Sequence, residues 1–205
     1  MVGLIGRKIG MTQVFDERGV LTPVTVIKIE ENQVVGERNE AKNGYNAVLL
    51  GAVDGKEKHI TKPIAGQFGD LTPKRHLVEM RDFEGSYEIG KKLGAELFKD
   101  ISFVDIQGVS KGKGYQGVMK RHGFGGGRKT HGSKFHRGLG ATGMAADPSK
   151  IHKGTKMPGR MGGEKSTVQN LRVIRVDEEK QFLLVKGAVP GPRKGIVIVS
   201  RAKKK

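Results

Sequence analysis

Apolar positions in this chain come in short runs with a period near two. The stretch MTQVF is followed by a polar turn, Asp16–Gly19, and then by VLTPVTVIKIE, where Val24, Val26, Ile27 and Ile29 are β-branched and partly alternate. This pattern predicts two strands joined by a turn. NQVVGER and YNAVLLGAV predict two more, with Asn43-Gly44 as a turn signal between them. Pro63 stands where a first helical turn accepts proline, which predicts a short helix over Lys62–Phe68. HLVEMRDF and ISFVDIQG are further strands. Near the other end, TVQNLRVIRV, QFLLVKGAV and GIVIVS predict three clear strands, with a turn at Asp177–Lys180 between the first two. Many short strands at close spacing predict a mainly β fold, a small closed β-barrel with short helices.

Between ISFVDIQG and TVQNLRVIRV the pattern stops. Across residues 107–165 the large apolar side chains are scattered: Tyr115, Phe124, Phe135, Leu139 and Ile151. Sixteen of the 32 glycines fall there. Such a segment buries too little apolar surface to offset its ordering entropy. It is expected to be flexible alone and to become ordered against a partner. A loop of this length in a compact domain argues against the assignment unless the loop has a function. The expected organisation is therefore 1–106, the first part of the barrel domain with a short helical insertion; 107–165, a long irregular basic arm; 166–200, the strands completing the barrel; and 201–205, a basic tail.

Charge supplies the function. The 205 residues carry 38 Lys+Arg against 21 Asp+Glu, a net charge of +17. Residues 107–165 hold 13 Lys+Arg and 2 Asp+Glu, and no acid stands between Asp105 and Asp147. This concentration points to a polyanionic partner, nucleic acid before an anionic membrane surface. The absence of cysteine excludes disulfides, thiol catalysis and Cys-based zinc fingers, and it fits a reducing compartment. The stretch MVGLIGRKIGMT lacks the apolar core of a signal peptide, and no apolar run approaches the roughly 20 residues that cross a bilayer. A soluble intracellular protein is expected.

Three motifs invite other chemistry. Within SKGKGYQG, Gly112-x-Gly114-x-x-Gly117 has the spacing of a dinucleotide fingerprint. That site needs a long following helix and an acid about twenty positions on. Here VMKRHGF runs into Gly125-Gly126-Gly127, and His136 and Arg137 stand where the acid belongs. GRMGGEKS resembles a phosphate-binding loop, but Glu164 replaces its last glycine and a strand pattern follows. His122, His131, His136 and His152 could hold a metal only with acidic ligands, and only Asp147 and Glu164 are near in sequence. No cofactor, metal site or catalytic set is expected.

Nucleic-acid contact remains. Lys111, Lys113, Lys120, Arg121, Arg128, Lys129, Lys134, Arg137, Lys150, Lys153, Lys156 and Arg160 recur every few residues, each able to neutralise a phosphate. Interleaved glycines let backbone N–H groups approach phosphates. His122, His131, His136 and His152 join the set of RNA contacts, and Tyr115, Phe124 and Phe135 are candidates for stacking on bases. RNA is favoured over DNA, because no recognition helix or zinc finger fits a major groove.

The segment from Phe98 through Asp105-Ile-Gln-Gly108-Val-Ser110-Lys-Gly112-Lys113-Gly114-Tyr-Gln-Gly117-Val-Met-Lys-Arg121 resembles the signature of the large-subunit ribosomal protein L-three family, bacterial type. GLIGRKIGMTQVF, GYNAVLLGA, THGSKFHRGLGATG, HKGTKMPGRMGGE and TVQNLRVIRVD…LLVKGAVPG resemble its other segments in the same order, over essentially the whole chain. The resemblance implies a barrel similar to that of elongation factors and a cytoplasmic place in the large ribosomal subunit. It implies binding to large-subunit ribosomal RNA beside neighbouring ribosomal proteins, a role in early assembly, and no catalysis, membrane or small-molecule substrate. It also implies an arm tip near the peptidyl transferase centre, at Gly143, Met144, Ala145, Ala146 and Asp147. Many bacterial relatives carry a methylated glutamine in this loop, whereas this chain has none between Gln116 and Gln169. Two rival readings stay open at this point: a nucleotide-dependent or RNA-modifying enzyme using Gly112–Gly117, and a general nucleic-acid chaperone.

Overall fold

The computed structural model describes residues 2–16, 18–85 and 87–205. Its strands are β1 (Gly3–Phe15), β2 (Leu21–Ile29), β3 (Asn32–Arg38), β4 (Ala47–Asp54), β5 (Lys74–Arg81), β6 (Lys92–Leu93), β7 (Phe103–Val109), β8 (Gly114–Gln116), β9 (Gly159–Met161), β10 (Lys165–Asp177), β11 (Phe182–Lys186) and β12 (Ile196–Arg201). Among the described residues three short α-helices accompany them, α1 (Glu40–Asn43), α2 (Lys62–Ala65) and α3 (Val118–His122), with 3-10 turns at Glu57–His59 and Ala95–Phe98. The mainly β class is as expected.

The chain divides into two compact units, residues 1–109 with 165–205, and residues 110–164. In the first unit, six antiparallel ladders run β1-β12-β7-β10-β11-β2 and return to β1. Alternation makes these strands legible. Leu183 and Val185 of β11, and Val197 and Val199 of β12, point into the core at every second position. The β1–β2 turn is held by Asp16, whose carboxylate accepts from the N–H groups of Arg18 (3.0 Å) and Val20 (2.8 Å). Glu17 of that turn lies outside the described residues. At the β10–β11 turn, Asp177 accepts from the N–H of Lys180 at 3.0 Å.

The structure departs from the sequence expectation in three places. β1 begins at Gly3, because Leu4 and Ile5 are fully buried although glycines weaken the strand signal around them. The helix expected over Lys62–Phe68 is only the four residues of α2, and Phe68 turns inward to 3% exposure instead. Most importantly, β3, β4 and β5 do not join the six-stranded ring. They form their own sheet in the order β5-β4-β3-β6.

β4 lies inside this second sheet, between β5 and β3. Residues 47–52 of β4 are buried without alternation, so both faces are covered. Val48, Leu50 and Ala52 join the main core with Leu4, Ile5 and Phe98. Leu49 packs on the other side with Val35 and Phe68. Asn32, fully buried, ties this sheet to β1: it accepts from the N–H of Ile5 (2.9 Å) and donates to the carbonyls of Ile5 (3.0 Å) and Glu30 (2.6 Å). Lys8 is buried too, and its Nζ donates to the carbonyls of Val189 (2.6 Å) and Gly191 (3.1 Å), fixing the loop before β12. No helix among the described residues is long and apolar enough to cross a membrane.

Candidate nucleic-acid interface

The second unit is nearly coreless. Of residues 110–164, Val118 alone is buried. The segment holds twelve Lys+Arg, two acids and four histidines. The ion pairs of the described residues, such as Arg7–Glu30 at 2.7 Å and Lys74–Asp54 at 2.6 Å, all lie in the first unit. Among the described residues, no cation of the second unit forms an ion pair with a protein carboxylate.

The unit nonetheless has a built base. β8 pairs antiparallel with β9, setting Gly114 opposite Met161, Tyr115 opposite Arg160 and Gln116 opposite Gly159. The two phosphate-loop lookalikes thus face each other as strands. Beside them, the N–H of Ser110 donates to the backbone carbonyl of Glu164 (2.9 Å) and that of Lys113 to the backbone carbonyl of Met161 (2.8 Å). The glycine of the former lookalike is followed by α3, five residues that end at Gly123 with φ +74°. No second turn exists to support a dinucleotide site.

Arg121 and His122, at the end of α3, converge on one acceptor. Arg121 Nη1 donates to the Met157 carbonyl at 2.7 Å, and His122 Nε2 reaches the same oxygen at 3.0 Å. A carbonyl only accepts, so His122 carries its proton on Nε2. The guanidinium lies over the backbone of β9, where a Cβ on Gly159 would sit 2.5 Å from Nη1. A side chain there would displace the guanidinium from this position. At Gly162 glycine is required twice over, by φ +72° and by the carbonyl of Lys111. Farther out, the N–H of Gly127 donates to His136 (3.0 Å), and His136 Nδ1 donates to the Arg128 carbonyl (3.0 Å).

The sixteen expected RNA contacts therefore fall into two groups. Lys111, Lys113, Lys120, Arg128, Lys129, His131, Lys134, His136, Arg137, Lys150, His152, Lys153, Lys156 and Arg160 are exposed. Arg121 and His122 are half-buried and turned onto the protein itself. Of the aromatic candidates, Tyr115 is 73% exposed, while Phe135 packs against Gly138 and Phe124 sits beside the His122 ring at 6.2 Å. At the tip, Gly143 to Asp147 are all exposed, Met144 to 87%. Sequence reading missed the β8–β9 pairing, and its only local signal was the excess of glycine at both strands. The described residues contain no group of three or more His, Asp or Glu side chains placed to hold a metal ion.

This unit presents exposed cations on a hydrogen-bonded base. Comparison with known proteins identifies the family. The model of a family described as "Ribosomal protein L3" matches residues 74–181. The "Large ribosomal subunit protein uL3" of Borrelia hermsii is 54% identical over 207 residues, covering 100% of this chain and 99% of that protein. The protein of the same name from Borreliella burgdorferi (strain ZS7) is 49% identical, covering 100% of both chains. The chain belongs to the Ribosomal protein L3 family, whose members are structural and non-enzymatic. The nucleotide-dependent enzyme is thereby excluded.

Proposed function

We propose that this chain is a structural constituent of the large ribosomal subunit in the cytoplasm, bound to large-subunit ribosomal RNA through residues 110–164. The six-stranded ring is read as an anchoring barrel of the elongation-factor type. The arm supports early subunit assembly, and its tip at Gly143–Asp147 extends towards the peptidyl transferase centre. One observation carries the reading. Fifty-five consecutive residues with twelve cations bury only Val118 and form no ion pair among the described residues. A surface like this finds its counter-charge and its contact area in a polyanion. Glycine-rich backbone and the exposed ring of Tyr115 suit the irregular crevices of a folded RNA.

Val109 and Lys165 are register partners at the mouth of the arm, so a short turn can replace residues 110–164 without opening the β7–β10 ladder. Binding of full-length and arm-less chains to large-subunit rRNA fragments is then compared over a salt series. If half of the twelve cations contact phosphate, the slope of log K against log salt becomes shallower by about 4–5. Equal affinity and equal slope would overturn the proposal. Equal affinity of the full chain for unrelated RNAs would favour a general chaperone.

A further inference from the structure

We propose that the outer end of the β1–β2 ribbon is a docking surface for a second protein, one that presents an extended strand with apolar side chains and a neighbouring carboxylate. This rests on the large-subunit reading above. Ladder geometry exposes the surface. β12 pairs with β1 only over residues 3–7, and β11 pairs with β2 only over residues 24–28. Beyond those limits β1 and β2 continue together, Gln13 opposite Pro23 and Phe15 opposite Leu21. The ribbon thus runs past both neighbours; on the β2 side Pro23 lacks an N–H and its carbonyl accepts from the N–H of Gly187 (2.9 Å), so the edge open to pairing by another strand is that of β1.

Its side chains do not suit RNA. Residues 9–15 and 20–23 contain no charged residue, in a chain with 38 Lys+Arg among 205. They instead expose apolar groups: Phe15 to 70%, Val20 to 58%, Met11 to 49% and Leu21 to 47%. Phe15 and Leu21 form a cross-strand pair left to solvent, the kind of pair that stabilises a sheet when covered.

Beside the ribbon lies a groove of about 550 Å3, bounded by Phe15 and Thr22 on one side and by Arg172–Ile174 and Lys186 on the other. Among the described residues, Arg18, Arg172 and Lys186 line it with one carboxylate, that of Asp16. That carboxylate already accepts from the N–H groups of Arg18 and Val20. The groove therefore attracts a partner's carboxylate next to the apolar strand. A second copy of this chain is disfavoured, since it would bring the same cations and a further +17.

The test places a benzophenone amino acid at Phe15 in the full chain, assembled into large subunits, with Tyr115 substituted likewise as the control. Irradiation is followed by RNase treatment and mass spectrometry. The expected Phe15 adduct is RNase-resistant and contains a peptide of another subunit protein with apolar residues beside Asp or Glu. The expected Tyr115 adduct is to RNA. An adduct of Phe15 with RNA or with a second copy, or no adduct, overturns the docking proposal. Loss of the RNA adduct at Tyr115 counts instead against the RNA-binding reading. Independently, Phe15→Ser with Leu21→Ser should leave rRNA-fragment affinity within about twofold, because no phosphate contact is removed. A tenfold loss would make the ribbon an RNA surface and end the proposal.

Discussion

Arg121 separates a phosphate contact from a structural clasp, and the two roles leave different marks on binding. Its Nη1 donates to the Met157 carbonyl at 2.7 Å across 36 residues of chain. Hydrogen bonds from charged donors contribute about 1.5–3 kcal/mol net. His122 still reaches the same oxygen at 3.0 Å, so Arg121→Met is placed at the lower end, about 1.5 kcal/mol. That loosens the arm base roughly tenfold. If only the closed base binds RNA, affinity falls by up to the same factor. No phosphate contact is lost, so the salt slope stays unchanged. Lys113→Gln, at an exposed cation, should do the reverse: a small loss of affinity with a slope shallower by about 0.7–0.9. The assay is fluorescence anisotropy with a labelled large-subunit rRNA fragment over a salt series, with limited proteolysis of the free chain alongside. Faster cleavage between residues 122 and 157 is expected for Arg121→Met only. A slope change in Arg121→Met equal to that of Lys113→Gln would refute the clasp and return Arg121 to the phosphate ligands.

Two further outcomes follow from the first unit. Asn32→Ala removes a fully buried amide that makes three hydrogen bonds, two of them between the second sheet and Ile5 of β1; a loss of about 2–3 kcal/mol, several degrees in Tm, is expected by calorimetry. Burial, with Arg75 and Arg7 nearby, lowers the pKa of His76 below its ordinary 6.5. The unfolded chain then binds the proton more readily, so this contribution to stability is intact above about pH 6.5 and is lost as pH falls through that value towards the lower folded one. His76→Gln should flatten that part of the stability–pH curve, and an unchanged profile would contradict it.

What could be read from the sequence alone was whatever is local. The alternation in β11 and β12 is a property of six or so neighbouring residues, and the buried positions match it. The arm is equally local: glycine content, cation density and the lack of acids belong to one contiguous stretch, and its poverty of large apolar side chains already implied the missing core. Family resemblance lay in motifs of the same kind. Tertiary structure decided everything that depends on who pairs with whom at a distance. β4 reads like any other strand, and only its burial on both faces assigns it to a second sheet. SKGKGYQG has the glycine spacing of a nucleotide loop without the helix and acid such a loop needs, and only the tertiary structure shows that its residues 114–116 pair with residues 159–161. Arg121 and Lys113 carry the same charge in the sequence. The fold turns one inwards onto Met157 and leaves the other exposed, because a side chain's partner is set by which backbone the folded chain brings within hydrogen-bonding reach.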